Sequence, residues 1–118
     1  MSKRDYRFFL KDIRDCCEKI MDYTKALSYE DFLHTPVIVD AVMRNLGIIG
    51  EAVKHLPATF RRKYPQIEFK KIAGLRDIVI HEYFGLDYEI LWDVIQNKIP
   101  RLGREIVHVI ELNDHSGA

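Results

Sequence analysis

The sequence predicts an all-α protein, a single-domain up-and-down bundle of four to five main helices. Three observations predict it. Apolar residues recur in steps of three and four over long stretches. No alternating strand pattern of useful length occurs, and no internal repeat or low-complexity linker interrupts the 118 residues. With 47% hydrophobic and 31% charged residues, the chain can build one domain with a modest core, residues 1–113, followed by a short flexible tail, 114–118.

The first helix is marked by Phe9, Ile13, Cys16, Ile20, Tyr23 and Leu27, an apolar stripe with charged residues around the remainder. Ser28 with Asp31 resembles a capping arrangement that opens a short turn over Tyr29–Leu33. Thr35-Pro36 is a helix start, Thr at the N-cap and Pro at the first helical position. The segment PVIVDAVMRNLGIIGEAVKHL then reads as a second long helix, apolar enough to be central. Its Gly47 and Gly50 lower helix propensity and would admit a closely approaching backbone. Pro57 can begin a short helix ending near Tyr64-Pro65. A third long helix is expected from about 68 to 81, ending near Phe84-Gly85. Asp87 caps the last segment, where Leu91, Ile95, Leu102, Ile106 and Val109 keep one stripe across Pro100. Proline donates no hydrogen bond and its ring displaces a carbonyl, so Pro100 is expected to kink or split this helix.

Charge narrows the function. The chain carries 18 basic and 18 acidic residues, so overall charge gives no support to non-specific nucleic-acid binding, and only a local patch could. No apolar stretch approaches the roughly 20 residues of a membrane span, and MSKRDYRFFLKDIRD lacks the apolar core of a signal peptide. Adjacent Cys16 and Cys17 would form a badly strained disulfide on a helix, so free buried thiols in a reducing cytoplasm are expected. His34, His55, His108 and His115 have no metal-ligand spacing and HEYFG is not H-E-x-x-H, so no metal site is expected.

The local patch lies between residues 61 and 76. Six basic residues, Arg61, Arg62, Lys63, Lys70, Lys71 and Arg76, face Glu68 alone. Read by itself this is a solvated charged face; placed beside a phosphate-handling site it is an RNA-binding surface. On a helical wheel of the third long helix, with Leu75 at zero, the apolar residues Phe69, Ile72, Leu75, Val79 and Ile80 spread over one broad face. Lys70, Gly74, Asp77 and His81 share an opposite ridge at about 200–260°. Asp77 precedes His81 by one turn, where a carboxylate can orient an imidazole and raise its pKa. Arg76 stands about 140° from His81 on the wheel. If the two cooperate, Arg76 reaches over at a helix end, or a twofold pairing brings two such helices into one cleft. The spacing alone is weak evidence, since nine Arg and five His produce roughly 0.4 such pairs by chance.

The surrounding residues add a resemblance. AGLRDIVIHEYFGLDYEILWDVI closely resembles the signature of the HEPN superfamily, specifically of HepT-like proteins, the toxin halves of bacterial and archaeal toxin–antitoxin pairs. That signature is Arg, four residues, His, any residue, Tyr, matched by Arg76, His81 and Tyr83, with the usual polar residue after the Arg matched by Asp77. AVMRNLGIIGEAVKHL looks like the family's preceding helix, and the likeness covers most of the chain, from about 5 to 112. The resemblance implies a HEPN-like helical bundle and a metal-independent endoribonuclease acting as a homodimer, in a type VII-like toxin–antitoxin system.

In that reading the RNA 2′-OH is the nucleophile and His81 is general base or acid. Arg76 binds the scissile phosphate and offsets transition-state charge, and the product carries a 2′,3′-cyclic phosphate. Asp77 orients His81, or is simply an exposed helix carboxylate. Tyr83, read from the helix alone, is a packing aromatic; by resemblance it is adenylylated by a cognate minimal nucleotidyltransferase, the antitoxin. AMP there would place a bulky anion beside Arg76 and block the cleft. The chain itself needs no cofactor, ATP being the transferase's substrate. Asn45 and Glu51 could line the cleft or serve the helix surface, and Tyr88 and Trp92 read as core or dimer aromatics. The competing reading from another class is a non-catalytic helical module that binds a nucleotide or the transferase.

Overall fold

The computed structural model describes residues 5–81 and 87–116, with side chains for 5–75 and 87–113. Among the described residues seven α-helices follow in order: α1 Tyr6–Thr24, α2 Tyr29–Leu33, α3 Pro36–Lys54, α4 Ala58–Arg62, α5 Phe69–His81, α6 Tyr88–Asp93 and α7 Ile99–Ser116, with a π-helical segment Val94–Lys98 joining the last two. No strand occurs among the described residues, so the all-α reading holds. Helix α3 is central, packing most extensively on α5 and α1, while α1 packs in turn on α7. The molecule measures 47 × 28 × 25 Å, and the 19 residues of α3 span about 28 Å of it at 1.5 Å each.

Local chemistry explains the boundaries. Asp5 caps α1 by accepting from the Arg7 N–H. The capping box forms as expected: the Ser28 hydroxyl accepts from the Asp31 N–H at 3.1 Å, and Asp31 accepts from the Ser28 N–H at 3.3 Å. Thr35 and Pro36 do begin α3, but the Thr35 hydroxyl makes no cap bond and donates back to the Asp31 carbonyl at 2.7 Å. It ties α2 to α3 instead. Asp87 caps α6 by accepting from the Glu89 and Ile90 N–H groups.

The core differs in phase from the sequence reading of α1. Leu10, Ile13, Cys16, Cys17, Ile20 and Thr24 are buried, whereas Phe9 is half-buried and Tyr23 is exposed. The stripe is rotated toward Leu10 and Cys17, because α1 lies between α3 and α7 and must cover both. Thr24 tolerates burial because its hydroxyl donates to the Ile20 carbonyl at 2.8 Å. Cys16 and Cys17 are free and buried, as expected, and burial pushes the Cys17 thiol up to about 12. Fully buried Phe32, Val42, Ile49, Val53, Ile95, Ile99 and Ile106 form the centre, each worth about 1.5–3 kcal/mol against remaining in water.

Pro100 neither ends nor splits the last helix but widens it. Without a proline N–H, the Gln96 carbonyl loses its helical donor, and the ladder just upstream widens: the Ile99 N–H donates to the Val94 carbonyl, a π spacing. Gly47 does not admit a neighbouring backbone within the protomer, since a Cβ there would meet nothing within 4 Å. The close approach is at Gly103 on α7, where a Cβ would lie 3.5 Å from the Cys17 Cβ.

Candidate nuclease site on helix α5

Helix α5 brings three predicted site residues onto one element. Positions 76, 77 and 81 all fall within Phe69–His81, so the spacing is a helical one: about 7.5 Å of rise and 140° of rotation from Arg76 to His81. Tyr83, and the expected helix end at Phe84-Gly85, lie outside the described residues. Gly74, on the ridge that the wheel assigns to Asp77 and His81, is open: a Cβ there would meet nothing within 4 Å.

The basic residues upstream separate into two groups. Helix α4 is anchored through buried Phe60, whose ring meets Tyr6 at 4.8 Å and Tyr64 at 5.1 Å. Asn113 closes this corner, accepting from the Tyr6 hydroxyl at 2.9 Å and donating to the Tyr64 hydroxyl at 3.1 Å. That framework fixes Arg61 and Arg62 on α4 and Lys63 just after it. Arg61, Arg62 and Lys70 line one groove of about 390 Å³, floored by Ile67 and Phe69. The Arg61 Nε is buried without a hydrogen-bond partner among the described residues. Lys71 is different: it turns to the other side of α5 and pairs with Glu68 at 2.6 Å. Lys63 lies beyond the groove, exposed.

Two cations join this band that the sequence did not connect to it. The Glu68 carboxyl is held below its ordinary value, first by the hydrogen bond and charge of Lys71 and then by the charges of Lys98 and Arg101. Lys98 closes the π segment and Arg101 lies in the first turn of α7, some thirty residues downstream, so only the fold, which sets them across a pocket from the first turns of α5, relates them. A clue in the sequence existed solely in Pro100, which marks where the helix is remodelled.

The remaining candidates take structural places. Asn45 is buried and its amide donates to the Ala41 carbonyl at 2.8 Å. Glu51 approaches His55 at 3.4 Å on the surface, and the His55 ring stacks on Phe9 at 4.9 Å. Trp92 packs on Phe32 at 5.1 Å, a core aromatic, whereas Tyr88 is exposed. Among the described residues no three His, Cys, Asp or Glu side chains gather as a metal site, and no helix there is long and apolar enough to cross a membrane.

A helical bundle with an Arg and a His on one helix beside a basic groove defines a class, and comparison with known proteins gives the family. The family model described as "Ribonuclease HepT-like" matches residues 13–109, and this chain belongs to that family. Among its relatives, "Putative RNase MJ0127" of Methanocaldococcus jannaschii is 46% identical over 111 residues, covering 94% of this chain and 92% of that protein. "Putative RNase TTE0752" of Caldanaerobacter subterraneus is 44% identical over 105 residues, 89% and 94% of the two chains. "Probable ribonuclease HepT" of Thermococcus cleftensis is 41% identical over 100 residues, 85% and 91% of the two chains. No solved structure matches significantly.

Proposed function

We propose that this chain is an endoribonuclease toxin whose site is assembled from Arg76 and His81 in a homodimer. The observation that carries the reading is the family match, which spans residues 13–109 and so includes the whole of α5 with its Arg, Asp and His. RNA supplies its own nucleophile, so the protein needs only to move protons and stabilise charge. His81 takes the 2′-OH proton, or protonates the leaving 5′-oxygen, near neutral pH. Arg76 binds the scissile phosphate through paired N–H donors and offsets charge in the pentacoordinate transition state. Asp77, one turn before His81, holds the imidazole in the reactive tautomer. These groups do the work without a metal ion.

Helix geometry supports the homodimer. Residues 140° apart on one helix do not converge on one phosphate, whereas a twofold partner brings a second Arg and His to the same cleft. Open glycines on the most extensively packed pair of helices, Gly47 on α3 and Gly74 on α5, and exposed Val37 and Ile48 on α3 leave room for such a partner. Arg61, Arg62 and Lys70 hold the RNA backbone in their groove, with Lys63 and Lys71 flanking it. A cognate minimal nucleotidyltransferase neutralises the toxin by transferring AMP from ATP to Tyr83, placing an anion where RNA must bind. Cleavage of RNA by wild type and by His81→Ala tests the reading: the product should carry a 2′,3′-cyclic phosphate, and wild-type activity in the variant would instead leave a non-catalytic binding module.

A further inference from the structure

Between the first turns of α5 and the π segment lies a second pocket of about 270 Å³. Its floor is apolar, made by Ile72, Leu75, Val94 and Leu102, and its rim carries Lys71, Lys98, Arg101 and Asn97. Glu105, the one carboxylate in the lining, is 3.7 Å from Arg101, and Glu68, paired with Lys71 at 2.6 Å, also feels the charges of Lys98 and Arg101, so three cations on the rim meet two carboxylates. An apolar slot under a cationic rim suits a planar base joined to a phosphate. The size limits the choice. Ordinary small-molecule sites begin near about 300 Å³, so one base with its sugar edge fits and a larger ligand does not.

Two further features point the same way. The wall is the π segment forced by Pro100, and π bulges recur at functional sites. Asn97 donates from Nδ2 to the Asp93 carboxylate at 2.6 Å. A carboxylate only accepts, so the amide orientation is fixed and the Asn97 carbonyl oxygen is left for a base edge. Lys71 precedes Arg76 by five residues on the same helix, about 7.5 Å along its axis. That is about two nucleotides of a stacked strand at about 3.4 Å each.

We propose that this pocket is a base subsite for the RNA strand: one nucleobase enters the slot between Leu75 and Leu102, and its phosphate rests on Lys98 and Arg101. The inference rests on the ribonuclease reading of α5, and its test separates the two. Full-length His81→Ala protein with labelled Ile, Leu and Val methyls is titrated with a mixed-sequence five-nucleotide RNA and, separately, with AMP. The RNA should shift the methyls of Ile72, Leu75 and Leu102. Filling the slot with Asn97→Phe should weaken RNA binding about tenfold, the loss expected for one stacked base. Should Asn97→Phe fail to fold, the double variant Asn97→Ala/Lys98→Ala reads the same loss.

RNA binding that leaves those methyls unmoved overturns the proposal. So does an equal shift with AMP alone when Asn97→Phe leaves RNA affinity unchanged, which would make this a mononucleotide pocket. Wild-type cleavage of the same RNA is measured alongside. Cleavage without the methyl shifts removes the subsite and keeps the nuclease, whereas shifts without cleavage do the reverse.

Discussion

Removing three charges from the α4–α5 groove should change how RNA binding depends on salt, by an amount the structure sets. Arg61, Arg62 and Lys70 line one groove in which Glu68 is the carboxylate, and Glu68 is matched by Lys71 at 2.6 Å, so the three groove cations are left to neutralise phosphates. Single-stranded nucleic acid releases counterions with a log–log slope of about 0.7 per phosphate contact. The triple alanine variant should therefore flatten the salt dependence by about 2. Over a fourfold rise in salt, from about 50 to 200 mM, wild type should lose roughly twentyfold more affinity than the variant. Lys71→Ala is the internal control. Its ammonium is already matched by Glu68 at 2.6 Å, so its slope change should fall below the 0.7 or so of one free contact. Fluorescence anisotropy of a labelled oligoribonucleotide, on a His81→Ala background to prevent cleavage, reads both. An unchanged slope in the triple variant refutes the groove as a phosphate track. A Lys71 effect equal to that of each groove cation refutes the division into two groups.

Other consequences follow from the same packing. Ile49→Ala, at a fully buried position on the central helix, should cost about 2–5 kcal/mol in urea unfolding, a large part of the stability of a domain this size. Glu68→Gln should free Lys71 and tighten RNA binding. Because the folded carboxyl sits below its ordinary value of 4.5, its contribution to stability is fully present above that value. The contribution is lost as pH falls through the folded pKa, so wild type and variant should converge in acid denaturation. Cys17, with its thiol raised to about 12 by burial, should resist an aromatic disulfide reagent at pH 8 in the native protein and react once unfolded.

Signals carried by neighbouring residues were legible in the sequence. Ser28 with Asp31 and Asp87 marked two helix starts because capping depends on atoms two or three residues apart, and Pro36 marked a third because its fixed φ suits the first helical position. The Arg76–His81 spacing and its placement on one helix were legible for the same reason. Less accessible was anything set by a neighbour distant in the chain. Burial of Leu10 and Thr24, rather than Phe9 and Tyr23, follows from α7 lying against α1, and periodicity could not supply that phase. Lys98 and Arg101 look like ordinary surface cations until the fold brings their charges to bear on Glu68. Pro100 announced a break, but whether the helix kinks, stops or widens depends on what the freed backbone can reach, here the π bond from Ile99 to Val94.

The central claim is that α5 carries a catalytic His and a phosphate-binding Arg. Single-turnover cleavage of a defined RNA by wild type, His81→Ala and Arg76→Ala, with matched melting temperatures, tests it most directly. The account predicts a 2′,3′-cyclic phosphate product, and a loss of about 10²–10⁴-fold on removing the proton-transfer group with a large loss for the Arg variant. Cleavage at the wild-type rate by His81→Ala would contradict it.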